Sequence, residues 1–289
     1  MPLIRNSETK VETIAVGFEF AEGPVWHPDG FLLFSDTSAD TIYRWLPEGK
    51  IEIFRCPAGY PNGNTWDRQG RLVTAQHDRR LTRTEPDGMV VTLASHYEGK
   101  KLNSPNDVLV KSDGSIYFTD PPYGILEGSA VEPQPEELGF YGVYHLADDG
   151  TLTLLIADLM RPNGLVFTPD EQKLYVSDSQ EGNVWVFEVR PDGTVTNGSI
   201  FADLKLPDQE PLADGLAVDS QGNLYATGPE GIWIFSPAGE LLDKILLPEN
   251  CSNVAWGDSD YKTLYITTYS SLYRIRLNIP GLPVWPMAN

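Results

Sequence analysis

Among its 289 residues the chain has only two cysteines, Cys56 and Cys251. They lie far apart and without metal-type spacing, which excludes a disulfide framework and a structural zinc site. Positive charge is scarce as well: 21 Lys and Arg stand against 41 Asp and Glu, a formal net charge of −20. That field repels polyanions and no basic stripe offsets it, so nucleic acid is not an expected partner. No apolar run reaches 18 residues, and no membrane span is expected. Residues 1–10 are polar and lack the apolar stretch of a signal peptide, so the expected location is the cytoplasm. Helical periodicity is nearly absent, and so is any G-x-S-x-G phrase of a serine hydrolase. Nothing in the sequence bears on oligomeric state.

What the chain does have is punctuation. Gly (26) and Pro (23) are spread along its whole length, as expected for many short elements joined by tight turns. An internal repeat organises them. Gly30 in WHPDG, Gly70 in WDRQG, Gly114 in VKSDG and Gly222 in VDSQG each end a similar phrase and precede a strand-like stretch. Those stretches are FLLFSD (31–36), RLVTAQ (71–76), SIYFTD (115–120) and NLYATG (223–228). Residues 163–178 and 253–268 keep the pattern without the glycine, which makes six units. A third strand follows in every unit, from TIYRWL (41–46) to SLYRIRL (271–277), and a weaker fourth in five of them. Four antiparallel strands repeated six times predict an all-β fold, a six-bladed β-propeller formed by one domain over residues 1–289. The sixth unit runs out of chain after its third strand, and VETIAVGF (11–18) is expected to supply the missing outer strand and close the ring.

Counting back eight residues from each hairpin position gives one register: Glu22, Asn62, Asn106, Asn163, Asp214 and Asn253. Each is expected at the start of its unit's first strand, the strand that lines a propeller's channel. Asn and Asp are depleted in strands, and converging carboxylates and amides repel or go unsatisfied unless a cation joins them. Oxygen donors without Cys or His favour one divalent cation, Ca²⁺ first, with Mg²⁺, Mn²⁺ or Zn²⁺ as the other candidates. Asx turns at strand starts would explain part of the set without a metal.

The phrases EGPVW (22–26), LNSPNDVLVKSDGSIYFTDPPYG (102–124), RPNGLVF (161–167) and ADGLAVD (213–219) resemble the gluconolactonase, regucalcin and lactonase-related family. The likeness covers almost the whole chain and is greatest to the bacterial gluconolactonase branch. It implies a six-bladed propeller with a catalytic divalent metal, and a small-molecule sugar lactone as substrate. Position by position it makes Glu22, Asn106, Asn163 and Asp214 the metal ligands and gives Asn62 and Asn253 no such role. It also makes Asp214 the general base, with Glu22 the other candidate. Animal members carry an Arg two positions before the residue matching Asn106. That place, beside the substrate, falls here to Ser104.

Residues that follow each second strand are expected on the same rim, which adds His77, Tyr123 and Ser179 around the substrate. His27 is expected solvated on the opposite rim. The Glu-, Pro- and Gly-rich insertion between Tyr123 and Phe140 is expected to be a mobile lid over the metal. Two other functions remain open at this level: a paraoxonase-like esterase using the same metal, and a propeller that binds a ligand without turning it over.

Overall fold

The computed structural model describes residues 4–6 and 8–284, so the two ends of the expected 1–289 domain lie outside it. The chain forms six four-stranded antiparallel sheets arranged as the blades of a propeller. In the first blade Ala21–His27, Phe31–Asp36, Thr41–Trp45 and Ile51–Arg55 pair in chain order, and the next four blades repeat that plan. The sixth takes Cys251–Gly257, Thr263–Thr268 and Ser271–Arg276 from the C-terminal part and Glu12–Val16 from the N-terminal part. Glu12 stands opposite Arg274 and Val16 opposite Ser271, which closes the ring as the strand count requires. A two-stranded hairpin, His96–Tyr97 with Lys100–Lys101, and a short 3-10 turn, Tyr123–Ile125, are added to the repeat.

The inner strand of each blade contacts the inner strands of both neighbours, all the way round. Faces of adjacent blades are thereby buried against each other, and the apolar core is a series of layers between blades. Burial on both faces explains why second strands read as nearly continuous apolar runs, such as the fully buried Leu72–Gln76. Outer strands are covered on one face only and alternate, as in the half-exposed Ile51–Arg55. Trp26 stacks on Tyr265 at 5.4 Å, and Trp66 Nε1 donates to the Trp26 carbonyl at 3.0 Å; both tryptophans are core between blades.

The hairpin after each inner strand needs a residue in the left-handed region. Gly30, Gly70, Gly114 and Gly222 supply it, with φ between +80° and +95°. The two units without glycine adopt the same conformation at Glu171 (φ +55°) and Tyr261 (φ +52°). The turn geometry is therefore imposed by the blade, with glycine removing the steric cost where it occurs.

Candidate active site at the channel rim

All six register positions are buried and lie at the inner-strand starts on one rim. Glu22, Asn62, Asn163 and Asn253 fall within regular strands, each beside a break in pairing register that turns the backbone. Asn106 and Asp214 precede the short strands Val108–Val110 and Leu216–Val218 by two residues. Between the blades the ring closes tightly. A Cβ on Gly164 would meet the Asp214 carbonyl at 2.4 Å, and one on Gly215 would meet Asn253 Oδ1 at 2.1 Å. Glycine is required at both by this close approach, since neither has a positive φ.

Second strands hold the ring from behind. Ser35 Oγ donates to the Asn62 carbonyl, Thr119 Oγ1 to that of Asn163 and Ser177 Oγ to that of Asp214, each at 2.7 Å and each reaching into the next blade. The following residue is Asp36, Asp120 or Asp178, and it secures the segment entering its own blade. Asp36 accepts from the Glu19 and Phe20 amides, Asp120 from Asn103, and Asp178 from Met160 and Arg161. The repeated Ser/Thr-Asp ending in FLLFSD, IYFTD and LYVSD was visible in the sequence as repetition, but only this geometry gives it a purpose.

The ring opens into a cavity of about 350 Å³ lined by Glu22, Asn62, His77, Asn106, Asn163 and Asp214, with Tyr123, Ser179, Arg161 and an apolar margin of Phe20, Pro211, Leu212 and Tyr269. Among the described residues, four buried oxygens there have no hydrogen-bond partner: Oδ1 of Asn62, Asn106, Asn163 and Asp214. Asn163 Nδ2 donates to Ser179 Oγ at 2.9 Å, which leaves its oxygen free. Glu22 Oε2 accepts from the Gly23 amide at 2.7 Å and from Asn253 Nδ2 at 3.2 Å. Asn253 itself does not reach the cavity; its Oδ1 accepts from the Val254 amide.

Electrostatics add to the strain of unpaired oxygen. Burial pushes the Glu22 carboxyl up to about 8, with repulsion from Asp107 contributing. Asp214 is raised well above the usual carboxylate range, first by burial and then by the charges of Glu22 and Asp107. Asp107 is itself lifted to about 7 by burial, although the Val108 and Leu165 amides bond to it. Its register position is held by Gly23, Gly63, Gly164 and Gly215 in four other blades. His77 is driven down to about 4 by burial and is neutral at physiological pH, its Nε2 3.2 Å from Asn62 Nδ2.

No group of three or more His, Cys, Asp or Glu side chains able to hold a metal occurs among the described residues, so a cation at this rim depends on amide oxygens. The donors present fit that requirement. Two carboxylates and three amide oxygens, most of them orphaned, match a hard divalent ion and offer nothing to a soft one.

The chain matches the SMP-30/Gluconolactonase/LRE-like region model over residues 20–270. It belongs to this family. A gluconolactonase of Zymomonas mobilis is 36% identical, over 96% of this chain and 84% of that one. A gluconolactonase structure from Xanthomonas campestris superposes with a TM-score of 0.87 at 36% identity, covering 95% of this chain and 91% of that one. A calcium-binding protein, regucalcin, from Agrobacterium tumefaciens shares the fold at 17% identity, with a TM-score of 0.79 and coverage of 95% and 98%.

Against this family frame, the structure brings Glu22, Asn106, Asn163, Asp214, His77 and Tyr123 to one cavity. Ser104 is not brought there. It is fully buried, and its hydroxyl is occupied in the Pro121–Gly124 turn, donating to the Pro121 carbonyl at 2.6 Å and accepting from the Gly124 amide at 2.9 Å. The insertion departs from expectation too. Of its neighbourhood only Tyr123 lines the cavity; residues 125–139 are mostly exposed, with Val131 and Leu138 buried and Gln134 and Pro135 accepting from Arg79. His27 is half-buried rather than solvated, stacked on Phe31 at 4.5 Å.

Sequence reasoning missed Phe20, Arg161 and Leu212. All three stand two residues before a ring position, in the segments that lead into the inner strands. The same spacing also selects Tyr60, Ser104 and Cys251, which do not line the cavity, so it would have been half right.

Proposed function

We propose that the protein hydrolyses a sugar lactone at the rim cavity, with one divalent cation, Ca²⁺ by preference, held by Glu22, Asn106, Asn163 and Asp214. The partnerless buried oxygens of Asn106, Asn163 and Asp214 carry this reading, because nothing else in the cavity satisfies them. The names of the Zymomonas and Xanthomonas relatives support the reaction, and that of the Agrobacterium regucalcin supports the ion. When bound, the cation supplies a Lewis acid for the carbonyl oxygen on which negative charge develops.

Asp214 is the general base. Its Oδ1 has no partner, whereas Glu22 Oε2 already accepts two hydrogen bonds. Asp214 takes the proton of a water whose oxygen forms the new bond to the carbonyl carbon. As the ring C–O bond breaks, that proton passes to the departing ring oxygen, which becomes the product hydroxyl. The new carboxylic acid ionises and releases one proton to solvent. His77, neutral, and Tyr123, whose phenol burial pushes up to about 12, offer uncharged hydrogen bonds to substrate hydroxyls. Phe20, Pro211 and Leu212 cover the carbon face of the ring.

Proton release from glucono-δ-lactone, corrected for spontaneous hydrolysis, tests the proposal on metal-stripped protein. Turnover is expected only after Ca²⁺ is restored, and in neither Asp214→Ala nor Asn163→Ala. Turnover that ignores both metal and substitutions sinks it. The apolar margin also suits plainer esters, and a panel of sugar lactones against aryl esters ranks the two.

A further inference from the structure

Arg161 is the single Lys or Arg among the cavity-lining residues. About half of the Lys and Arg side chains form ion pairs among the described residues, such as Arg5 with Asp243, Arg71 with Asp67, Arg274 with Glu12 and Arg276 with Asp260. The Arg161 guanidinium makes no hydrogen bond or ion pair among the described residues, although acids outnumber bases by 41 to 21. It is nevertheless held in place. Asp178 accepts from the Arg161 amide at 3.0 Å, and the guanidinium carbon stacks 5.7 Å from the centre of the Tyr123 ring. A five-donor fork, anchored at its backbone and against an aromatic wall, thus borders the cavity with no hydrogen-bond acceptor among the described residues.

We propose that Arg161 selects substrates bearing several hydroxyl groups, binding their oxygens before reaction and the carboxylate of the acid formed. This rests on the lactonase reading and adds to it the residue that sets the preference for hydroxylated lactones. A guanidinium donates two parallel hydrogen bonds to adjacent oxygens, which vicinal hydroxyls and a carboxylate present and an unsubstituted ring does not. It does not give up its proton in proteins, so it binds and takes no part in proton transfer. Its loss therefore acts on KM and leaves kcat nearly unchanged. The charge is complementary to the product acid, in a pocket whose other ionisable groups are carboxylates, phenols and a neutral histidine.

The experiment compares wild type, Arg161→Met and Arg161→Lys on glucono-δ-lactone and on δ-valerolactone, the same cyclic ester without hydroxyls. Calorimetric titration with gluconate runs alongside, and melting temperatures verify folding. In Arg161→Met, KM for the hydroxylated lactone rises roughly 10- to 100-fold, as for a lost hydrogen bond to a charged group. KM for δ-valerolactone stays level, and gluconate binding weakens by a similar factor. Arg161→Lys, which keeps the charge without the fork, falls between. Equal changes for the two lactones, or none for either, overturn the inference. If wild type turns over no lactone, the functional reading falls separately. Gluconate binding then still decides: tighter binding by wild type than by Arg161→Met sustains the role, and equal or absent binding ends it.

Discussion

At the rim the inner strands begin with Glu22, Asn62, Asn106, Asn163 and Asp214 around a cavity of about 350 Å³. Further along the chain from the ring positions, Val25, Val108, Leu165, Val218 and Val254 help line a second cavity of about 370 Å³, bordered by Leu282, Pro283 and Val284. Both cavities belong to one channel and the same backbone pattern. The rim holds four oxygens without partners, while the second cavity is dressed mainly in aliphatic side chains that ask for none. Orphaned oxygen is therefore not a by-product of closing a six-bladed ring. The blades can pave a channel with valine and leucine, and at the rim they do not. Asp107, which lines the second cavity, marks the border, with its carboxyl lifted to about 7.

The sharpest way to separate the two cavities is by substitution at each. Asp214→Ala at the rim is expected to lower metal-dependent kcat/KM by about 10³-fold or more, as for loss of a base or of preorganised charge. Thermal melting of the metal-free protein should hardly change, since a buried carboxyl with an unpaired oxygen is removed. Leu165→Ala, in the lining of the second cavity and 3% exposed, should do the reverse. A loss of about 3 kcal/mol in urea unfolding is expected, with KM intact. If this second variant alters KM as much as stability, the division of labour fails.

Gly164→Ala probes the joint between blades. The added methyl lies 2.4 Å from the Asp214 carbonyl and displaces it, so stability should drop by about 2 kcal/mol and activity should fall with it. Normal activity in this variant would mean that the ring tolerates a shift of Asp214.

The rim should also make stability depend on pH. Glu22 is raised from 4.5 to about 8, so the folded metal-free protein binds a proton that the unfolded chain has lost. Stability is then full below about pH 4.5 and declines as pH rises towards 8. Ca²⁺ should cancel the decline, giving a larger rise in melting temperature at pH 8 than at pH 5. An equal rise at both values would uncouple the ion from these carboxylates. The smallest effect is expected from Asn253→Ala. Asn253 touches Glu22 but not the cavity, so metal affinity measured by titration should fall about tenfold rather than vanish.

The six-fold repeat made the blades, their strand order and the closing N-terminal strand readable, because each blade must restate the same turn chemistry and the same buried apolar stretch. The eight-residue register likewise found the ring, since spacing along a strand maps directly onto position along the channel. Ser104 and Arg161 show where that mapping stops. Both stand two residues before a ring asparagine, yet Ser104 is bound into the Pro121–Gly124 turn while Arg161 borders the cavity, stacked on Tyr123. Local spacing cannot distinguish them, because the difference lies in what packs against each. The insertion carried the same ambiguity: its composition signals a loop, but only the structure shows Arg79, distant in sequence, bonded to Gln134 and Pro135 and the loop absent from the cavity lining.

By itself, then, the sequence determined the repeat, the strand pattern and the ring of oxygen-bearing residues, all of which are periodic and local. The tertiary structure decided which of those oxygens lost their partners and how far burial shifted Glu22, Asp214 and His77. It also left the Arg161 guanidinium at the cavity without an ion pair among the described residues. Those outcomes depend on neighbours from other blades, brought within a few ångströms only when the ring closes.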